Sequence, residues 1–241
     1  SKEQGEAIQK ISSKNITLIG TPRFDAYFQV RNTDIESHFI FKYILFVGTA
    51  LDFDEEKLLE QIGEVMENDQ ETWKGIKVIY RPHPWRQNAC VVHPTYGRHV
   101  ITDPQILSAN SDKSSVIQPS LDYYPSLFKN AEFVMGGLTT MLIEGLIFRK
   151  CFLAFAHEDS RYITSMRNAL VSYEHFKGLD ELQSIGISYD KSDISRVMKE
   201  TFRKQKTITA EEIDRDRMWY LYNDHFDYKE RLLNLINKIV D

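Results

Sequence analysis

Three short segments carry residue types that could do chemistry. In Met135-Gly136-Gly137-Leu138-Thr139-Thr140-Met141-Leu142-Ile143-Glu144-Gly145 an apolar run ends in two glycines, and two hydroxyl residues open a helical pattern. Free N–H groups at a helix start, with the positive end of its dipole, attract anions, and glycine lets a phosphate come close. Thr139 or Thr140 can add hydroxyl donors. Glu144, one turn past Thr140, offers two acceptor oxygens to the paired hydroxyls of a ribose. The same residues read equally well as plain architecture, with Thr139 capping the helix and Glu144 solvated.

Arg81-Pro82-His83-Pro84 is the second segment. Its prolines fix the backbone and hold the imidazole at the end of an apolar run. There it can donate to a phosphate oxygen and offset charge on a departing diphosphate. Alone, it is slightly better explained as a loop histidine that satisfies a carbonyl. The third segment, Gly20-Thr21-Pro22-Arg23-Phe24-Asp25, offers Arg23 to an anion. Its simpler local reading is an internal salt bridge, with Asp25 pairing with Arg23 or capping the following turn.

Two other groupings carry less. His83, Cys90, His93 and His99 mix zinc-ligand types within 17 residues. They lack a second tight pair, so no metal is expected. Trp219, Tyr220, Tyr222, Phe226 and Tyr228 have no basic stripe beside them and read as helix packing rather than a base-stacking surface.

The elements that must position these segments alternate. Tyr43–Val47 is a short apolar run of the kind buried on both faces of a sheet, and Leu58, Leu59, Ile62 and Val65 recur at helical spacing behind Asp52 or Asp54 as cap. Further strands are predicted over 76–80, 99–102, 115–118, 133–135 and 151–156, and helices over 121–130 and 139–148. The chain after Gly178 reads as charged and helical. It ends in Tyr228–Val240, with Leu232, Leu233, Ile236 and Ile239 on one face. Such alternation implies an α/β, Rossmann-like parallel sheet with helices on both faces and a helical C-terminal tail. Right-handed crossovers then bring the loops at 48–49, 81–85, 119–120 and 136–140 to one crevice.

Composition bounds the function. The 241 residues are 42% apolar and 27% charged, enough for a full core and far from a disordered chain. A formal charge of −5 argues against nucleic acid as partner. No apolar stretch reaches the about 20 residues of a spanning helix, and two cysteines suit a reducing compartment. A cytoplasmic protein, or one peripheral at the inner face of a membrane, is expected. All seven prolines and nine of the eleven glycines lie at or before Gly145, so turns concentrate there.

Together, the segments resemble a family. Ile19–Asp25 resembles the G-x-P-R-x-D segment at the interdomain connection of bacterial surface-polysaccharide transferases, including the CDP-glycerol glycerophosphotransferases, and Arg81–Pro84 resembles their R/K-P-H-P motif. Residues 117–153 resemble the donor-binding core shared by GT-B glycosyltransferases and UDP-GlcNAc 2-epimerases. The resemblance implies that the loop at Pro119-Ser120 lies near the base, the Gly-Gly segment meets the phosphates, and Glu144 meets the ribose. Gly136 stands where retaining enzymes carry a second glutamate, and Thr140 and Met141 where epimerases carry acids. Both departures favour an inverting transferase or phosphotransferase.

The expected chain is therefore the nucleotide-sugar-binding, C-terminal half of a GT-B-type transferase, working without metal or cofactor. Residues 1–38 form the interdomain connection, 39–190 the Rossmann-like domain, and 191–241 C-terminal helices packing on it. Lys2–Ile11 reads as the end of a preceding domain's last helix. The implied substrate-binding residues are Arg23, Arg81, His83, Pro119, Ser120, Gly136, Gly137, Thr139, Thr140 and Glu144, with His83 also a candidate stabiliser of the leaving group. A nucleotide-sugar or nucleotide-diphosphate-alcohol donor, a sugar or lipid-linked acceptor and an N-terminal acceptor domain are the implied partners. The alternatives are a non-catalytic sugar-nucleotide-binding module and an epimerase-like enzyme.

Overall fold

In the computed structural model, which describes residues 2–11, 16–84, 93–109, 122–221 and 228–240, seven strands form one sheet in the order β3-β4-β2-β1-β5-β6-β7. They are β1 (Lys42–Val47), β2 (Ile76–Arg81), β3 (Thr95–Tyr96), β4 (Val100–Thr102), β5 (Val134–Gly136), β6 (Phe152–Phe155) and β7 (Ile185–Ser188). Every neighbouring pair is parallel except β3 with β4. The central strands are buried on both faces: Tyr43 to Val47 and Phe152 to Phe155 are all in the core. Their continuous apolar runs are what a sheet covered on two sides requires.

Two groups of helices cover the sheet. Helix α3 (Glu55–Asn68) packs with α8 (Ile194–Thr207), whereas α6 (Leu142–Ile147) packs with α2 (Asp25–Val30), α5 (Tyr123–Lys129) and α9 (Ala210–Tyr220). The crossover from β1 to β2 runs toward one sheet edge and that from β5 to β6 toward the other, so right-handed crossovers place α3 and α6 on opposite faces. Helix α3 forms because Asp54 caps it, its carboxylate accepting from the Lys57 N–H at 3.2 Å, and because Leu58, Leu59, Ile62 and Met66 make one buried stripe. Each such side chain contributes about 1.5–3 kcal/mol on burial. The remaining helices are α1 (Lys2–Ile11), α4 (Pro104–Ala109), α7 (Met166–Ser172) and α10 (Tyr228–Val240).

The elements differ from expectation in four places. The helix expected over 139–148 begins only at Leu142: the Leu142 and Ile143 N–H groups reach back three residues to the Thr139 and Thr140 carbonyls, so residues 139–141 are a turn. Strand β7 lies in the stretch read as wholly helical, and β3 adds an antiparallel edge. On α10 the expected apolar face is there, but Leu233, Ile236 and Ile239 are exposed, as are Ile8 and Ile11 of α1. The strand expected over 115–118 lies outside the described residues.

From β1 the chain moves outward to β2 and β4, then returns to lay β5 on the other side of β1. The carboxyl ends of β1 and β5 therefore flank the point where strand order reverses, where open α/β sheets leave a crevice. A side chain at Gly136 would collide with the Val47 carbonyl oxygen, which is backbone and cannot yield. Gly136→Ala should lower stability in urea unfolding by about 1–3 kcal/mol, the range for overpacking. Gly145→Ala, whose new carbon would meet Val134 Cγ2 at an ordinary 3.4 Å, should stay within about 1 kcal/mol of the parent.

Candidate functional site

The loops that leave β1, β2 and β5 meet at this crevice. The Gly48 N–H donates to the Arg81 carbonyl at 2.7 Å, and a side chain at Gly48 would come within 2.5 Å of the His83 backbone nitrogen. On the other side, one at Gly137 would come within 2.7 Å of Thr49 Cγ2, and the Thr49 hydroxyl donates to the Leu138 carbonyl at 2.6 Å. His83 and the Gly136–Thr140 segment thus stand on either side of the 48–49 turn. His83 is half-buried. Pro119 and Ser120 lie outside the described residues.

One residue that sequence reasoning missed fixes this turn. Glu55, first residue of α3, is buried; its Oε1 accepts from the Thr49 N–H at 2.7 Å and its Oε2 from the Tyr80 hydroxyl at 2.7 Å. An acid in a first helical turn is normally read as complementing the helix dipole. Here it welds the loop after β1 to strand β2.

The turn that precedes α6 presents backbone donors. Thr139 Oγ1 accepts from the Met141 N–H at 3.3 Å within the turn. It does not cap α6 as expected, because the helix starts three residues later with Met141 at its N-cap and no side-chain cap. The N–H groups of Leu138, Thr139 and Thr140 meet no acceptor among the described residues. Helix α6 is only six residues long, so these turn donors, rather than a long dipole, make the segment attractive to an anion.

Glu144 is not solvated. Its side chain is 2% exposed, Oε1 accepts from Arg23 Nη2 at 2.6 Å, and Oε2 has no hydrogen-bond partner among the described residues. Burial pushes its carboxyl above the usual range, and the Arg23 guanidinium opposes that shift. Arg23 thus makes an internal salt bridge, though with a residue 121 positions away rather than with Asp25. Asp25 instead accepts from the Tyr228 N–H at 3.3 Å, at the start of α10.

Arg81 is only 2% exposed; it lies over the Tyr124 ring and donates from Nη2 to the Tyr124 hydroxyl, while its Nε and Nη1 have no partner among the described residues. Buried Asp103, whose carboxyl is raised by desolvation, feels the Arg81 charge and accepts at Oδ1 from the Tyr123 hydroxyl at 2.8 Å. Of the zinc-type residues, His99 pairs with Glu67 at 2.8 Å ahead of β4, whereas His83 follows the far end of β2; Cys90 lies outside the described residues. Trp219 and Tyr220 are half-buried, and Tyr220 packs against the core.

The Glu55 arrangement is testable. Glu55→Ala removes the carboxylate that accepts from both the Thr49 N–H and the Tyr80 hydroxyl, and should cost about 2–3 kcal/mol in chemical unfolding. Tyr80→Phe removes one partner of an acid that keeps the other, and should cost about 1 kcal/mol.

No protein-family model and no curated protein sequence matches the chain. Solved structures do. The wall teichoic acid polymerase TagF superposes with a TM-score of 0.54 at 16% identity, over 93% of this chain and 52% of TagF. A putative UDP-N-acetylglucosamine 2-epimerase from Listeria monocytogenes gives 0.58 at 13% identity, over 100% of this chain and 58% of that one. MnaA of S. aureus, solved with UDP, gives 0.53 at 14% identity, over 100% of this chain and 58% of that one. This chain spans little more than half the length of each. These neighbours share the GT-B fold, and the chain has their α/β, Rossmann-like architecture.

Proposed function

We propose that the chain is the donor-binding half of a GT-B-type transferase that takes a nucleoside-diphosphate-linked sugar or alcohol. The observation that carries this reading is the run of three N–H groups, Leu138 to Thr140, that meet no acceptor among the described residues, at the strand-order reversal and across the 48–49 turn from His83. Successive backbone donors in a concave turn suit the oxygens of a diphosphate. In this reading His83 donates to the same group and offsets charge as the diphosphate departs. Glu144 accepts from the ribose. Gly136 and Gly137 let the backbone approach, Thr139 and Thr140 line the turn, and Arg81 supports the layer beneath through Tyr124. The resemblance adds Pro119 and Ser120 near the base.

Two neighbours support this ligand class. A TagF variant was solved after soaking with CDPG, and MnaA was solved with UDP. Residues 1–38 would then be the interdomain connection, 39–190 the donor domain and 191–241 the helices following it, with the acceptor held by a separate N-terminal domain. Transfer rather than epimerisation is preferred because Thr140 and Met141 stand where the epimerase pattern carries acids. No helix among the described residues is long and apolar enough to cross a membrane.

Isothermal calorimetry with CDP-glycerol and with UDP-GlcNAc tests the proposal. One of the two should bind saturably and keep its affinity in EDTA. His83→Ala should weaken that binding by about 1.5–3 kcal/mol, the range for hydrogen bonds to charged groups, with an unchanged melting temperature. Absence of binding by either ligand would refute the donor-domain reading, and loss of binding in EDTA alone would refute its independence of metal.

A further inference from the structure

We propose that Arg23 acts as a positioning residue for Glu144: it occupies Oε1 and so presents Oε2 to the paired hydroxyls of a ligand's ribose, without touching the ligand itself. The inference rests on the ribose role given to Glu144 above and goes beyond it by assigning how that carboxylate is kept competent.

The geometry is unusual for an arginine and a carboxylate. These groups favour a fork in which two N–H donors cover both oxygens. Here Nη2 alone meets Oε1, at 2.6 Å, and Oε2 stays buried without a hydrogen-bond partner among the described residues. A buried acceptor with no donor is costly, so the pair is half-finished in a way that an incoming hydroxyl would complete.

Arg23 is anchored through its backbone and packs on one ring, while its side chain is 55% exposed. Its backbone N–H donates to Thr21 Oγ1 at 3.3 Å, Pro22 fixes the turn, and its guanidinium carbon sits 5.3 Å from the centre of the Phe24 ring. Asp25, two residues on, is tied to the first turn of α10 through the Tyr228 N–H. Glu144 for its part is fixed within α6.

Charge completes the case. The groups that face this carboxyl are Arg23 from the turn before α2, the backbone N–H of Glu144 itself, and Tyr27 from α2, with Tyr124 of α5 beyond Tyr27. Arg23 is the cation among them. Burial favours the neutral acid; Arg23 opposes it most, and the backbone N–H of Glu144 adds to that opposition. A carboxyl that takes up a proton loses acceptor capacity for hydroxyls. Removing Arg23 should therefore move the pH at which Glu144 becomes a full acceptor upward.

The test uses the 241-residue chain and whichever of CDP-glycerol and UDP-GlcNAc binds it more tightly, together with that ligand's 2′-deoxy counterpart. Both ligands carry diphosphate diesters that stay ionised from about pH 5 to pH 9, so the pH profile reports the protein. Calorimetry would compare the parent with Arg23→Gln, Arg23→Lys, Glu144→Gln and the Arg23→Gln/Glu144→Gln double variant. Arg23→Gln should lose about tenfold in affinity and most of the ribose preference near pH 6, both returning as pH rises. Arg23→Lys should keep the preference. In the double variant, Arg23→Gln should add little to Glu144→Gln, as expected of residues acting through one contact.

Parent-like or tighter binding by Arg23→Gln at every pH would overturn the inference, since Arg23 would then be idle or a plug. Additive losses with the ribose preference intact would overturn it too, because Arg23 would be meeting the ligand directly. If Glu144→Gln itself left the parent's ribose preference unchanged, the ribose role would fall and this inference with it. Arg23→Met, which keeps an unbranched side chain without the charge, carries the same comparison if Arg23→Gln melts below the assay temperature.

Discussion

The candidate site depends on backbone approaching backbone with nothing between. Strand β1 ends where two other chain segments must pass: the stretch after β2 comes against Gly48, and Gly136 comes against the Val47 carbonyl. Only with both side chains missing can the three loops share one small volume. Glu55 then locks the arrangement from below, spending one oxygen on the loop and the other on Tyr80. The hydrophobic core sets where the strands lie. This polar and steric joint sets how their ends face each other, and so whether the N–H groups of 138–140 converge on anything.

How much of this could be seen in the amino-acid order depends on whether the cause is local. Strands β1, β2 and β6 are legible because burial on two faces demands an unbroken apolar run, and α3 because a cap and a stripe occur together. Strand β7, Ile185-Gly186-Ile187-Ser188, carries a glycine where Thr201 packs close and is only partly buried, so its run is too weak to stand out. The false start of α6 has a different origin. Helical spacing of apolar residues continues through 139–141, but the hydrogen bonds there reach back only three residues. Periodicity also reports that a face of α10 is apolar without reporting what it faces.

The candidate site residues divide in the same way. Gly136, Gly137, Thr139 and Thr140 are legible because a strand end, two glycines and hydroxyl residues are adjacent in sequence. The partners of Glu144 and Glu55 are not, because each acid finds its donors through the tertiary fold. Arg23 stands 121 residues from Glu144, and Tyr80 lies 25 residues beyond Glu55. An ion pair of that separation leaves no spacing to read. Local reasoning assigns Arg23 to the neighbouring Asp25, and the fold gives Asp25 to the Tyr228 N–H instead.

The tight joint also bears on what evolutionary comparison of homologous chains can reveal. Gly48 and Gly136 are required by contacts with the protein's own backbone, so selection would preserve them whatever the site binds, and even after loss of activity. Their invariance across a set of relatives would record the fold's survival and nothing of its chemistry. Change of ligand would leave its trace at positions the joint does not constrain. Thr140, exposed at the mouth of the turn, is such a position.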